Sequence, residues 1–283
     1  MRIIGSGICG IGEADKYLEA TLRNLKELCD DVIILGNNID AKSKALVRKY
    51  KCVLVHDNRE WGLNQHKIKQ DFLESHISVF KPDWILSLDM DEVLMMNRSM
   101  LESLANKSFD IAYYFWCLNL WNDNLTHNED LLFEDIRFYK YLPNYTQFKN
   151  QPLHGGMAPE YSYTHGTHSQ YHFEHYGLLK QEDRQKKIDR YLKYDPNGKY
   201  LPKYWYESLS NLSPTLKMKK DFMSPQTQFR TKKISTEKVN NDGILYKFIN
   251  RHGKLIILDN YKHYLETKGR PGFQYLGEEK QVF

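Results

Sequence analysis

Residues 84–94 read "WILSLDMDEVL", an apolar run that stops abruptly at Asp89, Asp91 and Glu92. Such a run is long enough for a buried strand, and three carboxylates at its end raise one another's pKa unless something positive sits among them. The triplet therefore either holds a cation or, more plainly, caps the helix that follows while Asp91 is solvated.

Working outward, strand and helix patterns take turns. "RIIGSGI" reads as a first strand, and Ala14 to Cys29 as a helix with Leu18, Leu22, Leu25 and Cys29 on one stripe. "DVIILG", a helix over Lys42 to Lys51, "CVLVHD" and a helix over Leu63 to Val79 lead into "PDWILSLD", the fourth strand. Alternation of this kind predicts an α/β fold, a mostly parallel sheet flanked by helices, with ligands at the carboxyl ends of its strands. "FDIAYYFWCLNLW" (109–121) and "DIRFYKYLPNY" are further strands, and 151–177, rich in His, Gly and Tyr, reads as a long functional loop. "QEDRQKKIDRYLKY" is a helix ending at the turn "DPNG", and "ILYKFINRHGKLIILD" is a hairpin turning at Arg251 to Gly253. The expected division is one domain over 1–205 and a basic C-terminal extension over 206–283 with an acceptor-side or packing role.

Composition narrows the function classes. With 283 residues, 41% hydrophobic and 13% aromatic, the chain supports a large core and is not disordered as a whole. No apolar run approaches the roughly 18 residues of a membrane span. "MRIIGSGICGIG" lacks a small-residue cleavage site and reads as a strand rather than a leader. Cys9, Cys29, Cys52 and Cys117 contain no CxxC pair, which points to buried thiols in a reducing, cytoplasmic setting. Residues 1–150 carry 18 Lys and Arg against 22 Asp and Glu, while 151–283 carry 22 against 14. The basic half invites an anionic partner or is simply a solvated lysine-rich surface.

An Asp-X-Asp just past a buried strand places two carboxylates in a cleft, where hard oxygen ligands suit Mg²⁺ or Mn²⁺. A metal there would offset the charge of a nucleotide diphosphate leaving group. The block from Glu13 to Leu94, ending in "KPDWILSLDMDEVL", resembles a GT-A glycosyltransferase of the family 2 type, whose "LDxDE" is the metal and sugar-nucleotide motif. "IRFYKYLPNY" is similar to that family's "RLxRNLP" strand, and "HYGLLKQEDRQKKIDRYLKYDPNGKY" to its "HYGY…R..KY.RY…DP.G.Y" segment, so that about 200 residues match in order.

The resemblance implies transfer of a sugar from a nucleotide donor, usually with inversion. Asp91 would ligate the metal, Asp89 would contact the donor ribose or metal-bound water, and His175 would be a third ligand or else a core histidine. Two departures touch the donor side. Gly12-Glu13 replaces the family's Asn-Glu, and "LGNNID" replaces "DxGSxD", so that Asp40 stands in for the second aspartate and the backbone near Ile8 for the base platform. UDP is the expected nucleotide, and Lys67, at a commonly basic position, would meet the diphosphate or remain a solvated first-turn residue. His154 opens "LHGGMAPE", near the acceptor-side segment.

Inversion needs a general base on the acceptor hydroxyl. Glu160 is the first choice and Asp135 the second, each otherwise an ordinary surface carboxylate. Tyr113, Tyr114 and Trp116 are candidates for an aromatic floor under a sugar or base, and His165, His168 and His172 are weaker metal candidates. The expected acceptor is a glycan or glycoconjugate. Hydroxymethylated DNA is the alternative, because "KMKK", "RTKK" and "YKFINRHGK" interleave basic and aromatic residues. Rival classes fit less well. A sugar-phosphate nucleotidyltransferase wants basic residues after the first strand, where "GSGICGIGEAD" has none, an aspartyl phosphatase wants its Asp-X-Asp on that strand, and a non-catalytic nucleic-acid module needs no acidic cleft.

Overall fold

The computed structural model describes residues 1–107, 109–151, 155–200, 203–210, 213–224, 245–249, 255–259 and 280–281. Its first half alternates as the sequence predicts: β1 (Ile3–Cys9), α1 (Leu18–Leu28), β2 (Asp31–Asn37), α2 (Ala41–Lys49), β3 (Val53–Asp57), α3 (Trp61–Phe72) and β4 (Trp84–Ser87). A short strand β5 (Glu92–Leu94) and helix α4 (Arg98–Ala105) follow, then β6 (Ala112–Asn119), β7 (Thr126–Asn128), β8 (Phe133–Lys140), α5 (Glu160–Thr164), β9 (Thr167–His175), α6 (Gln181–Tyr194), α7 (Lys203–Ser208) and β10 (Leu216–Met218).

Eight strands form one sheet in the order β3-β2-β1-β4-β8-β6-β9-β5. The β3-β2-β1-β4 run is parallel throughout, β6 and β9 are also parallel, and the remaining pairs are antiparallel. The α/β, mostly parallel architecture is thus the one expected. Because β2 and β4 flank β1 on opposite sides, the order reverses between β1 and β4, and the crevice of a doubly wound sheet opens at the carboxyl ends of these two strands. The loop after Cys9 and the acidic turn after Ser87 meet there.

Alternation along the strands builds two cores. Ile3, Val32, Ile34, Trp84 and Leu86 face Leu18, Leu22, Leu25 and Leu28 of α1 and Leu101 and Leu104 of α4. Ile4, Ile33, Leu35 and Ile85 face Ile68 and Phe72 of α3. All four cysteines are buried and unpaired. No helix among the described residues is long and apolar enough to cross a membrane.

Two expectations change, and a third is met. The stretch 151–177 is not one loop, since 160–164 is helical and 167–175 is a strand of the sheet, between β6 and β5. Its residues alternate between buried Ser169 and Phe173 and part-exposed His168 and His172, and polar side chains on the open face conceal the strand signal. The boundary at 205/206 does not match the packing either. Tyr206 and Leu209 join a third core with Trp121, Leu131, Leu178 and Tyr191, and β10 pairs with β7, so the main body continues through these residues. The expected hairpin is present as β11 (Leu245–Ile249) antiparallel to β12 (Leu255–Asp259), with β13 (Lys280–Gln281) beside it, while its turn lies outside the described residues.

Candidate active site

The acidic turn is pinned by its own backbone. Leu88 N–H donates to Ser6 O (3.0 Å), Asp89 N–H to Glu92 Oε2 (3.1 Å) and Glu92 N–H to Asp89 O (3.0 Å). Met90 is buried against Gly7 of β1, where a Cβ would overlap the Met90 methyl, so only glycine allows this approach. With Met90 anchored inward, the three carboxylates leave the turn in different directions. Their side-chain exposures are 48% for Asp89, 24% for Asp91 and 3% for Glu92.

Glu92 is held by Arg137 of β8 in a buried fork, with Nε to Oε2 and Nη2 to Oε1 both at 2.6 Å. The same guanidinium donates to Asp135 Oδ2 at 2.6 Å, lies 3.8 Å from Asp89 Oδ2 and covers the Phe173 ring at 4.7 Å. Burial pushes the Glu92 carboxyl up and the Arg137 fork opposes it. A buried bidentate pair of this kind serves as structure and aims its remaining donors at Asp89 and Asp135.

Asp91 belongs to a second cluster. Its Oδ2 lies 3.4 Å from His175 Nε2, at the end of β9. His175 Nδ1 is 2.5 Å from Asn119 Oδ1, and Asn119 Nδ2 donates to Leu131 O at 2.7 Å. That second bond fixes the amide, so Nδ1 carries the proton and Nε2 presents its lone pair to the cleft. Lys187 of α6 takes that lone pair, with Nζ 3.2 Å from Nε2. Burial pushes the Asp91 carboxyl up, and the nearby cations Lys187 and Arg190 oppose that rise. Burial and Lys187 keep His175 below its ordinary pKa, in the neutral form. Gly177 closes the cluster, because a Cβ there would overlap both Asp91 Oδ2 and His175 Nε2.

Three further groups line the cleft. Glu13, in the turn after β1, is pushed up to about 7 by burial and then by Asp91, with Lys16 opposing and Asp89 adding to the rise. The buried Tyr17 hydroxyl, whose pKa burial, Asp183 and Asp91 raise, has no hydrogen-bond partner among the described residues. Lys69 of α3 is 6% exposed and donates to Gly156 O at 2.6 Å; burial brings it down to about 8 while Asp89 and Asp135 oppose. Lys69 also lines a cavity with Ser6, Ile8 and Ser87.

The candidates named from sequence are distributed unevenly. Asp89, Asp91, His175 and Asp135 converge on the cleft, and Ile8 sits at its floor on β1. Lys67 does not: it is exposed on the outside of α3 and pairs with Asp71 at 3.3 Å, whereas Lys69, two residues on, faces inward. Asp40 caps α2 and is consumed there. It accepts from Gly12 N (2.7 Å), Ser43 N (2.9 Å) and Ser43 Oγ (2.9 Å), bonds that bring its carboxyl to about 2. Glu160 opens α5 on the surface, its N–H donating to Gln147 O at 2.8 Å. Tyr113 is 1% exposed and bonds Leu104 O, which removes it from any floor.

Tyr114 and Trp116 are part-exposed on the open face of β6. Tyr114 stacks on His168 at 4.8 Å, and Trp116 has Phe222 beside it at 6.4 Å. His168 pairs with Glu134 at 2.6 Å, and His172 packs edge-on to Phe222, so both lie on this face rather than at the Asp91 cluster. His165 is the residue just after α5. His154 lies outside the described residues. Sequence reasoning assigned no role to Asn119, Arg137, Lys187, Glu13 or Lys69. Arg137 inside the apolar "IRFY" and Lys187 on the inward stripe of α6 with Arg184 and Tyr191 were the available signals. Among the described residues no three His, Cys, Asp or Glu side chains stand together as a preformed metal group.

No family model and no curated protein matches the chain. Solved structures with partial likeness include glucosyl-3-phosphoglycerate synthase from Mycobacterium tuberculosis in complex with Mn²⁺, UDP and glucosyl-3-phosphoglycerate, at 11% identity over 42% of this chain and 44% of that one, TM-score 0.28. Mannosyl-3-phosphoglycerate synthase from Rubrobacter xylanophilus gives 12% over 44% and 42%, TM-score 0.29. A cytidylyltransferase from Leptospira borgpetersenii gives 15% over 51% and 67%, TM-score 0.31. The chain thus matches less than half the length of either synthase, and scores this low carry no argument about substrate or reaction. The strand order itself carries the fold: a parallel 3-2-1-4 run, an acidic turn at the carboxyl end of its fourth strand and a mixed half beyond it make this an α/β chain with the arrangement that the GT-A resemblance implies.

Proposed function

We propose that the chain is a metal-dependent, family 2-type glycosyltransferase that moves a sugar from a nucleotide-sugar donor, a UDP-sugar by resemblance, to an acceptor hydroxyl with inversion. The observation that carries the reading is the Asp91–His175 pair at the switch point of the sheet. A carboxylate oxygen and an imidazole lone pair face each other there, and Asn119 fixes the tautomer. These donors fit Mn²⁺ or Mg²⁺, with half-exposed Asp89 next to them and the Tyr17 hydroxyl still to be satisfied. Such a metal supplies Lewis-acid stabilisation of the departing diphosphate.

The chain's own residues do the rest. Asp135, oriented by Arg137, takes the proton from the acceptor hydroxyl as that oxygen bonds the anomeric carbon; the bond from that carbon to the diphosphate breaks, and its electron pair leaves with the nucleotide. Asp135 ranks above Glu160 because Arg137 ties it to Asp89, whereas Glu160 lies on the surface. Lys69 adds positive charge at the cleft floor. Tyr114 and Trp116 offer part-exposed rings to the acceptor, which we take to be a glycan. The DNA alternative draws less support because Lys217 and Lys219 are paired with Glu129 and Glu174. Residues 1–224 are proposed as the transferase unit.

The test is metal-dependent hydrolysis of a panel of sugar nucleotides, followed by transfer assays with Asp135→Asn. Preference for one sugar nucleotide and a fall of about 10²-fold or more in transfer, with donor binding nearly unchanged, is the expected result. Cleavage that requires added pyrophosphate and yields sugar phosphate and nucleoside triphosphate, in place of free sugar and nucleoside diphosphate, would move the chain to the nucleotidyltransferases.

A further inference from the structure

Lys187 occupies an unusual place. Helix α6 turns Arg184, Lys187 and Tyr191 toward the body at three- and four-residue spacing, the positions an amphipathic helix fills with apolar groups. Arg184 is locked there: its Nη1 donates to Leu178 O at 2.8 Å, and the guanidinium lies 4.0 Å over the Trp121 ring. Tyr191 packs on Tyr206 at 5.4 Å. Between them Lys187 sends its four-carbon stem to His175, its Nζ 3.2 Å from Nε2. An ammonium on an inward stripe is costly unless anions or a function hold it, and Asp91 Oδ2 lies 3.4 Å from the same His175 nitrogen.

Neutral imidazole has one lone pair at Nε2, because Asn119 keeps the proton on Nδ1. A hydrogen bond from Lys187 and coordination of a divalent cation therefore compete for one orbital. From this we infer that Lys187 is an internal counter-cation of the Asp91–His175 pair, one that a divalent metal must displace and that is transferred to the diphosphate of the incoming donor. The inference rests on the metal-dependent reading above and adds an order to it: metal and diphosphate enter together, each making room for the other. The stem of a lysine is long and flexible enough for the exchange, whereas a planar, forked arginine is less adaptable.

The consequence is measurable without turnover. Free Mn²⁺ is followed by electron paramagnetic resonance during titration of the full chain, first alone and then with inorganic pyrophosphate. Wild type should bind Mn²⁺ weakly alone and more tightly with pyrophosphate. Lys187→Met should bind Mn²⁺ alone about tenfold more tightly, and pyrophosphate should add less. Lys187→Arg, which retains the charge, should show no such gain, and this separates loss of the cation from loosening of the helix. Lys187→Met binding Mn²⁺ no more tightly than wild type, while Asp91→Ala abolishes binding, would overturn the inference and leave the metal site standing. Unchanged Mn²⁺ affinity in Asp91→Ala would overturn both.

Discussion

Glu92 and Asp91 are adjacent carboxylates in one turn, yet the fold treats them oppositely. Glu92 lies in a closed pair, both oxygens on one guanidinium and the rest of Arg137 committed to Asp135 and Phe173. Asp91 lies in an open one, 3.4 Å from an imidazole whose lone pair, among the described residues, is held by the long side chain of Lys187. A charge satisfied by rigid, multiple bonds contributes to the architecture; one satisfied by an exchangeable partner is available for chemistry. The sequence "DMDE" presents its carboxylates as equivalents, and the partners brought by β8 and α6 separate them.

The comparison can be broken most severely on its closed side. Arg137→Met leaves Glu92 buried without its cation, and the loss of unfolding free energy in urea should reach about 3–5 kcal/mol. Adding Glu92→Met should cost less than the sum of the two single changes, because the orphaned charge is removed with its partner.

On the open side, Gly177→Ala should act with little effect on the fold. The added methyl separates Asp91 from His175, and Mn²⁺ affinity should fall about tenfold or more in a titration.

A third prediction uses pH. Glu13 holds its proton to about 7 in the folded chain, above the ordinary carboxyl value of 4.5. Between these values the native state binds more protons than the unfolded chain, so this contribution to stability is fully present below about 4.5 and is lost as pH rises through 7. Glu13→Gln should remove that dependence, giving a higher Tm than wild type at pH 8 and an equal one at pH 4. A Tm difference that is the same at both pH values would detach Glu13 from the cluster. The smallest effect belongs to Lys67→Ala: an exposed pair with Asp71 should change stability by no more than about 0.5 kcal/mol and leave donor binding intact.

What was legible in the sequence follows from locality. The parallel strands announced themselves through apolar runs, α6 through the turn "DPNG" that ends it, and Asp89 and Asp91 through their place after a buried strand. Asp40 misled because a carboxylate after β2 reads the same whether it meets a ligand or caps its own helix, and its bonds to Gly12 and Ser43 decide for the cap. Lys67 and Lys69 differ by two positions, about 200° around a helix, and their opposite fates depend on where α3 meets the sheet. Arg137 and Lys187 reach the turn from 45 and 95 residues away, so only tertiary structure shows which carboxylate each attends.

The central claim is that Asp91 binds a cation for chemistry while Glu92 holds the fold, and one paired measurement tests it. Mn²⁺ titration and urea unfolding are run on Asp91→Ala and Glu92→Gln. The account predicts that Asp91→Ala loses Mn²⁺ binding with unfolding free energy within about 1 kcal/mol of wild type, and that Glu92→Gln loses about 2 kcal/mol or more while retaining Asp91-dependent Mn²⁺ binding. Undiminished Mn²⁺ affinity in Asp91→Ala, or a loss of stability there as large as in Glu92→Gln, would contradict it.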